Sequence, residues 1–327
     1  MMFEEFGPIG NALILLASLI ALDKASDWAI NNSIKVADIT GLGKTTIGFI
    51  LVAFSTSLPE LSVAVFAAIG QESMGVAIGN VLGSNIANVC LILGICFLMI
   101  SLKMDKDVLL PTIAKEDLSS LYFGLFIASI VPLTLLYLGY ASRFIGVILI
   151  AIFVFYIYQL SKVKTVKEEG ALGEERRKLA RYVALTILGA TGVVASAYFI
   201  VESATYIAYY VNVPKVIIGA TIVAFGTSLP ELATSVEAVK RGHLNMALGN
   251  IVGSAFINIT LILGVSLVAS PLRIDMAAFS DLAIFSLITN LILWYFLSSE
   301  RISWREGAVL LFLYFLFLAI SFGGYKA

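Results

Sequence analysis

The sequence predicts an all-α membrane protein of ten transmembrane helices, arranged as two inverted five-helix repeats. Three observations carry this expectation. The 327 residues are 60% hydrophobic and only 13% charged, against roughly a quarter charged in soluble domains. The segments AFSTSLPEL, Ala53 to Leu61, and AFGTSLPEL, Ala224 to Leu232, are near copies 171 residues apart, so the chain is a tandem repeat of about half its length. Lysine and arginine are spread unevenly over the loops, and that bias sets an orientation in the bilayer.

Apolar runs long enough to span lie at 8–22, 45–69, 74–100, 118–139 and 143–161, and again at 182–211, 214–239, 244–270, 278–298 and 306–323. The first repeat is 1–161 with its motif region at 45–100, and the second is 182–327 with its motif region at 214–270. With the N-terminus outside, the cytoplasmic loops hold Lys24, Lys35, Lys44, Lys103, Lys106, Lys115, the seven basic residues of 162–181, Lys240, Arg241, Arg301 and Arg305, which is 17 of 21. Arg143, Lys215, Arg273 and Lys326 fall outside. An odd number of spans per half then forces the second repeat to run through the bilayer in the opposite sense.

Between the halves, 162–181 (KVKTVKEEGALGEERRKLAR) is the one sizeable polar segment and reads as a solvated cytoplasmic linker. Glu4 and Glu5 stand where a cleavable signal peptide would carry basic residues. A net charge of −1 argues against nucleic acid as a partner. Cys90 and Cys96 share one apolar helix without metal-site spacing and read as packing residues. The single histidine, His243, falls in a short loop and reads as a surface residue.

The chemistry lies in the duplicated segments. A carboxylate deep in a bilayer costs a few kcal/mol without a partner, and proline breaks the helical ladder. Each copy combines both, as Pro59 with Glu60 and as Pro230 with Glu231. Proline frees the carbonyl four residues back and can turn its neighbours toward a cavity. Backbone oxygen, hydroxyl and carboxylate then converge, a hard-oxygen set suited to Ca²⁺ or Na⁺. Downstream, Asn80, Ser84 and Asn88 recur at i, i+4 and i+8, and Asn250, Ser254 and Asn258 repeat the pattern, each triplet forming one polar helix face. Gly79, Gly83, Gly249 and Gly253 flank these stripes and favour close helix approach.

Two ionised glutamates carry two negative charges, which Ca²⁺ neutralises and one Na⁺ does not. Emptied, the site would hold two like charges in low dielectric, so a proton or another cation should enter as calcium leaves. That favours exchange over one-way passage. Glu202, Asp27 and Glu237 lie near helix ends, where snorkelling or capping accounts for them.

The doubled TSLPEL and GN-x-x-GS motifs resemble the α-repeats of the cation/Ca²⁺ antiporter superfamily, and most closely its prokaryotic sodium/calcium exchanger branch. The likeness spans nearly the whole chain. It implies a ten-helix fold with Ca²⁺ held by Glu60, Glu231 and the carbonyls of Thr56 and Thr227. It implies Na⁺ sites at Ala53, Ser57, Ser84, Ala224, Ser228 and Ser254, in a cavity lined by Asn80, Asn88, Asn250 and Asn258. The chain departs from the pattern in three places: Ser55 stands where Gly226 stands in the second copy, Ala255 stands opposite Asn85, and Asn258 occupies a position where similar prokaryotic exchangers often carry aspartate.

The expected function is a secondary-active antiporter of the cell membrane that exports Ca²⁺ in exchange for Na⁺ by alternating access. A proton-coupled exchanger on the same scaffold is the alternative, and a glutamate-lined cation channel is a further rival. No nucleophile and base are paired as an enzyme needs. The expected partners are the lipid bilayer and the transported ions, with the monomer as the working unit and no cofactor.

Overall fold

The computed structural model describes residues 4–40, 56–69, 74–103, 108–109, 115–161, 173–240, 242, 244–270, 276–299 and 301–323. Ala53, Ser55, Lys44 and His243, with most of the expected linker, lie outside the described residues.

The described chain is almost entirely helical. After a short 3₁₀ turn, Glu4–Phe6, come α1 (Gly7–Thr40), α2 (Leu58–Ile69), α3 (74–103), α4 (Lys115–Leu138) and α5 (Arg143–Ser161). The second half holds α6 (Gly173–Tyr210), α7 (Lys215–Thr227), α8 (Leu229–Lys240), α9 (244–269), α10 (Met276–Ser298) and α11 (Trp304–Gly323). Among the described residues, seven helices are long and apolar enough to cross a bilayer, α7 and α8 together make an eighth span bent by 46°, and α2 and α5 contribute shorter apolar helices. A two-residue antiparallel pair, Val108–Leu109 with Arg301–Ile302, ties the segment after α3 to the one before α11.

Polarity is distributed inside out relative to a soluble protein. Leu13, Ile20, Phe144, Phe155, Ile187, Phe312 and Phe315 face outward at 60% exposure or more, whereas Glu60, Glu231, Asn80, Asn88 and Asn258 are fully buried. An apolar exterior over a polar centre suits lipid as the solvent. Exposed Tyr137, Tyr140, Tyr209, Tyr210 and Trp304 sit at or next to helix ends, and Trp28 lies just past the apolar stretch Gly7–Ala25. Amphipathic rings prefer that headgroup level. The chain is an integral membrane protein.

α1 and α6 pack along one another. At 1.5 Å per residue they run roughly 50 and 57 Å, well beyond the roughly 30 Å hydrocarbon core. The Lys35 ammonium lies 5.1 Å from the centre of the Tyr182 ring, a cation–π contact between their polar ends.

The halves meet directly at the centre. α3 lies directly against α7: a Cβ on Gly79 would fall 2.0 Å from the Val216 carbonyl oxygen, and one on Gly83 would fall 2.2 Å from that of Ala220. No other residue fits at this helix crossing. The polar-stripe helices also widen into π turns at matching places, Ala87–Ile92 in α3 and Asn258–Ile262 in α9. There the Leu93 and Leu263 N–H groups reach back to the Asn88 and Asn258 carbonyls, five residues away instead of four.

Candidate ion-binding site

A broken helix sets the site in the second half. α7 ends at Thr227, Ser228 leaves helical geometry at φ −85°, ψ 6°, and α8 starts at Leu229. Pro230 is the second residue of α8 and Pro59 the second residue of α2, where the missing N–H costs nothing. Leu61 N–H bonds the Ser57 carbonyl at 3.0 Å, and Leu232 N–H bonds the Ser228 carbonyl at 3.0 Å, so the two copies share one local geometry. Each glutamate falls in the first turn of its helix, where unpaired N–H dipoles stabilise a negative group by about 0.3–1 kcal/mol.

Hydroxyls from both halves then fasten one oxygen of each carboxylate. Ser84 Oγ donates to Glu60 Oε1 at 3.5 Å, and Ser228 Oγ, from the other half, donates to the same oxygen at 3.3 Å. Ser254 Oγ donates to Glu231 Oε1 at 3.1 Å and lies 3.0 Å from Ser57 Oγ, again across the halves. Thr227 Oγ1 donates to Asn80 Oδ1 at 3.0 Å, and the mirror contact joins Thr56 Oγ1 to Asn250 Oδ1 at 3.5 Å. Thr227 Oγ1 also lies 3.5 Å from Ser84 Oγ and 3.3 Å from the carbonyl oxygen of buried Ala224.

The remaining acceptors define the chemistry. Glu60 Oε2, Glu231 Oε2, Asn88 Oδ1 and Asn258 Oδ1 are buried without a hydrogen-bond partner among the described residues. Buried oxygens of this kind are costly unless something positive meets them. Every one is a hard oxygen donor, and the two carboxylates match a divalent cation in charge. Among the described residues no three acids, histidines or cysteines gather.

A profile of the sodium/calcium exchanger protein family matches residues 10–162 and 181–323. The chain belongs to this family. Sodium/calcium exchanger MaX1 of Methanosarcina acetivorans is 31% identical to it, over 95% of this chain and 98% of its own. The inner membrane protein YrbG of Escherichia coli is 30% identical, over 88% of this chain and 89% of its own. A structure of the sodium-calcium exchanger NCX_Mj, from crystals soaked with Na⁺ and Sr²⁺, superposes with a TM-score of 0.66 at 29% identity, covering 96% of this chain and 98% of that one.

Within this exchanger-family chain, the described residues singled out from the sequence do meet. Thr56, Ser57, Glu60, Asn80, Ser84, Asn88, Thr227, Ser228, Glu231, Asn250, Ser254 and Asn258 are all buried and, with Ala224, fall into hydrogen-bonded groups: Glu60 with Ser84, Ser228, Thr227, Asn80 and Ala224, Glu231 with Ser254, Ser57 and Asn88, Thr56 with Asn250, and Asn258 with Asn85. Three further polar residues bond to members of these groups. Asn250 Nδ2 donates to Thr234 Oγ1 at 3.0 Å and Ser235 Oγ at 3.1 Å, and Asn258 Nδ2 donates to Asn85 Oδ1 at 3.1 Å. Ser235 stands one helical turn after Glu231, a spacing that signals the same face. Glu202 is half-buried and Glu237 exposed, and Cys90 and Cys96 are buried free thiols.

Proposed function

We propose that this chain is a secondary-active antiporter that exports Ca²⁺ from the cytoplasm in exchange for Na⁺, by alternating access in a scaffold of ten spans in two inverted five-helix repeats. The carrying observation is the pair of fully buried glutamates, each with one oxygen fastened by serine hydroxyls and the other unpartnered among the described residues. The profile matches flanking 163–180 support two repeats of similar extent, and the similar proteins named as sodium/calcium exchangers support the ion pair. Glu60 and Glu231, with the carbonyls of Thr56 and Thr227, hold Ca²⁺. Ser57, Ser84, Ser228 and Ser254, with the carbonyls of Ala53 and Ala224, take Na⁺. Asn80, Asn88, Asn250 and Asn258 line the cavity. The N-terminus is outside, the 162–181 segment is cytoplasmic, and the monomer is the working unit.

Charge drives the cycle. Ca²⁺ neutralises both carboxylates, so its departure exposes two like charges in a medium of low dielectric, a state disfavoured by several kcal/mol. Entry of Na⁺ relieves it, and the coupling of the two ions is that relief. The test is ⁴⁵Ca²⁺ uptake into proteoliposomes, driven separately by an outward Na⁺ gradient and by an outward H⁺ gradient. Uptake with the Na⁺ gradient alone is expected. Uptake with the H⁺ gradient in the absence of Na⁺ would replace sodium by protons in this reading.

A further inference from the structure

Asn88 and Asn258 hold equivalent places in the two halves, yet their amides are held differently. Asn258 Nδ2 donates to Asn85 Oδ1 at 3.1 Å, while Asn258 Oδ1 is buried without a partner among the described residues. Asn85 is itself 1% exposed. In the second half the residue matching Asn85 is Ala255, whose methyl accepts nothing. Asn88 Nδ2 turns instead to Ser254 Oγ at 3.3 Å.

A primary amide has a donor end and an acceptor end on opposite sides. Whichever neighbour takes the NH₂ therefore fixes where the carbonyl oxygen points. We infer that Asn85 is a positioning residue: by accepting from Asn258 Nδ2 it locks the Asn258 amide with its oxygen, and not its NH₂, presented to the transported cation. Free rotation of that amide would place a donor, which repels a cation, in the site for part of the time. The same asymmetry loads Ser254. A hydroxyl has one proton and two lone pairs, and Ser254 gives to Glu231 while meeting Asn88 and Ser57. Asn85 thus makes the Asn258 side a pre-set cation ligand, whereas the Asn88 side uses a hydroxyl already engaged.

This inference rests on the exchange reading for its biological meaning but not for its test. Purified protein is assayed for ⁴⁵Ca²⁺ binding and for its displacement by Na⁺, with wild type, Asn85→Ala, the bulkier apolar Asn85→Leu, Asn258→Ala and the double variant Asn85→Ala/Asn258→Ala. Loss of one orienting hydrogen bond corresponds to roughly fivefold in affinity. Asn85→Ala and Asn85→Leu should each raise the half-displacing Na⁺ concentration roughly fivefold, and Asn258→Ala should do the same. The double variant should fall no further than Asn258→Ala alone, because Asn85 acts through that amide. Additive losses, or an unchanged Na⁺ midpoint in whichever Asn85 variant remains monodisperse, would overturn the assignment. If wild type binds and displaces these ions but exchanges neither in vesicles, the antiport reading fails and the Asn85 result still stands.

Discussion

The two halves agree where a cation would be touched and diverge one step behind. Both supply a glutamate in the first turn of a helix, directly after a proline, and both fasten one carboxylate oxygen with a serine. Behind these, Asn250 is braced by Thr234 and Ser235, where the first half has Val63 and Ala64, and Asn80 Nδ2 has no partner among the described residues. Asn258 is held by Asn85, whereas Asn88 borrows Ser254. In the proposed site both carboxylates meet one cation, which would keep the contact layer alike. Orienting groups need only hold their own ligand, so they are free to differ. Substitutions in matched pairs should therefore give equal effects at the glutamates and unequal effects at the groups that hold them.

The largest effect is expected at the glutamates. Glu60→Gln and Glu231→Gln each remove half of the charge facing the cation, a loss of about 3 kcal/mol or more in a buried site. Both should abolish ⁴⁵Ca²⁺ flux to the same degree, more than a hundredfold. A folded variant that kept normal flux would break the equivalence and the assignment together.

Next come the asparagines at the π turns. Asn258→Asp adds a third acid, so one more proton can compete with the cation, and activity should fall more steeply on acidification, by up to roughly tenfold per pH unit. Asn88→Asp should act in the same direction. Na⁺-driven flux from pH 5.5 to 8.5 reads this, and profiles that superimpose on wild type would remove both residues from the cavity.

The hydroxyls sharpen the comparison at smaller scale. Ser254→Ala strips partners from Glu231, Asn88 and Ser57, whereas Ser84→Ala strips them from Glu60 and Thr227. Both should weaken sodium dependence more than calcium binding, Ser254→Ala more than Ser84→Ala by roughly fivefold, at about 1 kcal/mol for its one additional hydrogen bond. Equal loss of calcium and sodium responses would argue against separate sodium ligands.

The smallest effects are structural. Asn250→Ala leaves the Thr56, Thr234 and Ser235 hydroxyls to find new partners and should lower the thermal midpoint, at about 1–3 kcal/mol of stability. Asn80→Ala frees only Thr227 and should cost less. The reverse order would show that the bracing seen behind Asn250 carries no stability.

Much of this site was legible before any coordinates, because the expense of a glutamate and a proline in apolar sequence marks a position twice over when it is duplicated. The stripes at Asn80, Ser84, Asn88 and Asn250, Ser254, Asn258 were legible for the same reason: helical periodicity fixes the face. The π turns were not, since a shift from four-residue to five-residue hydrogen bonding is decided by packing and has no residue signature. Nor were the contacts across the halves, such as Ser57 with Ser254, because sequence spacing says nothing about which hydroxyl meets which over 197 residues. Thr234 and Ser235 escaped because repeat matching looks for what the halves share. The first apolar run ends at residue 22, before Asp23 and Lys24, yet α1 continues to Thr40. Its packing along α6 carries the helix past those charges.

The central claim is that the two glutamates form one divalent site and not two. Equilibrium ⁴⁵Ca²⁺ binding to wild type, Glu60→Gln, Glu231→Gln and the double variant tests it most directly. A single shared site predicts one Na⁺-displaceable calcium per chain, lost as completely in either single variant as in the double. Two calcium ions per chain in wild type, with one retained in each single variant, would contradict it.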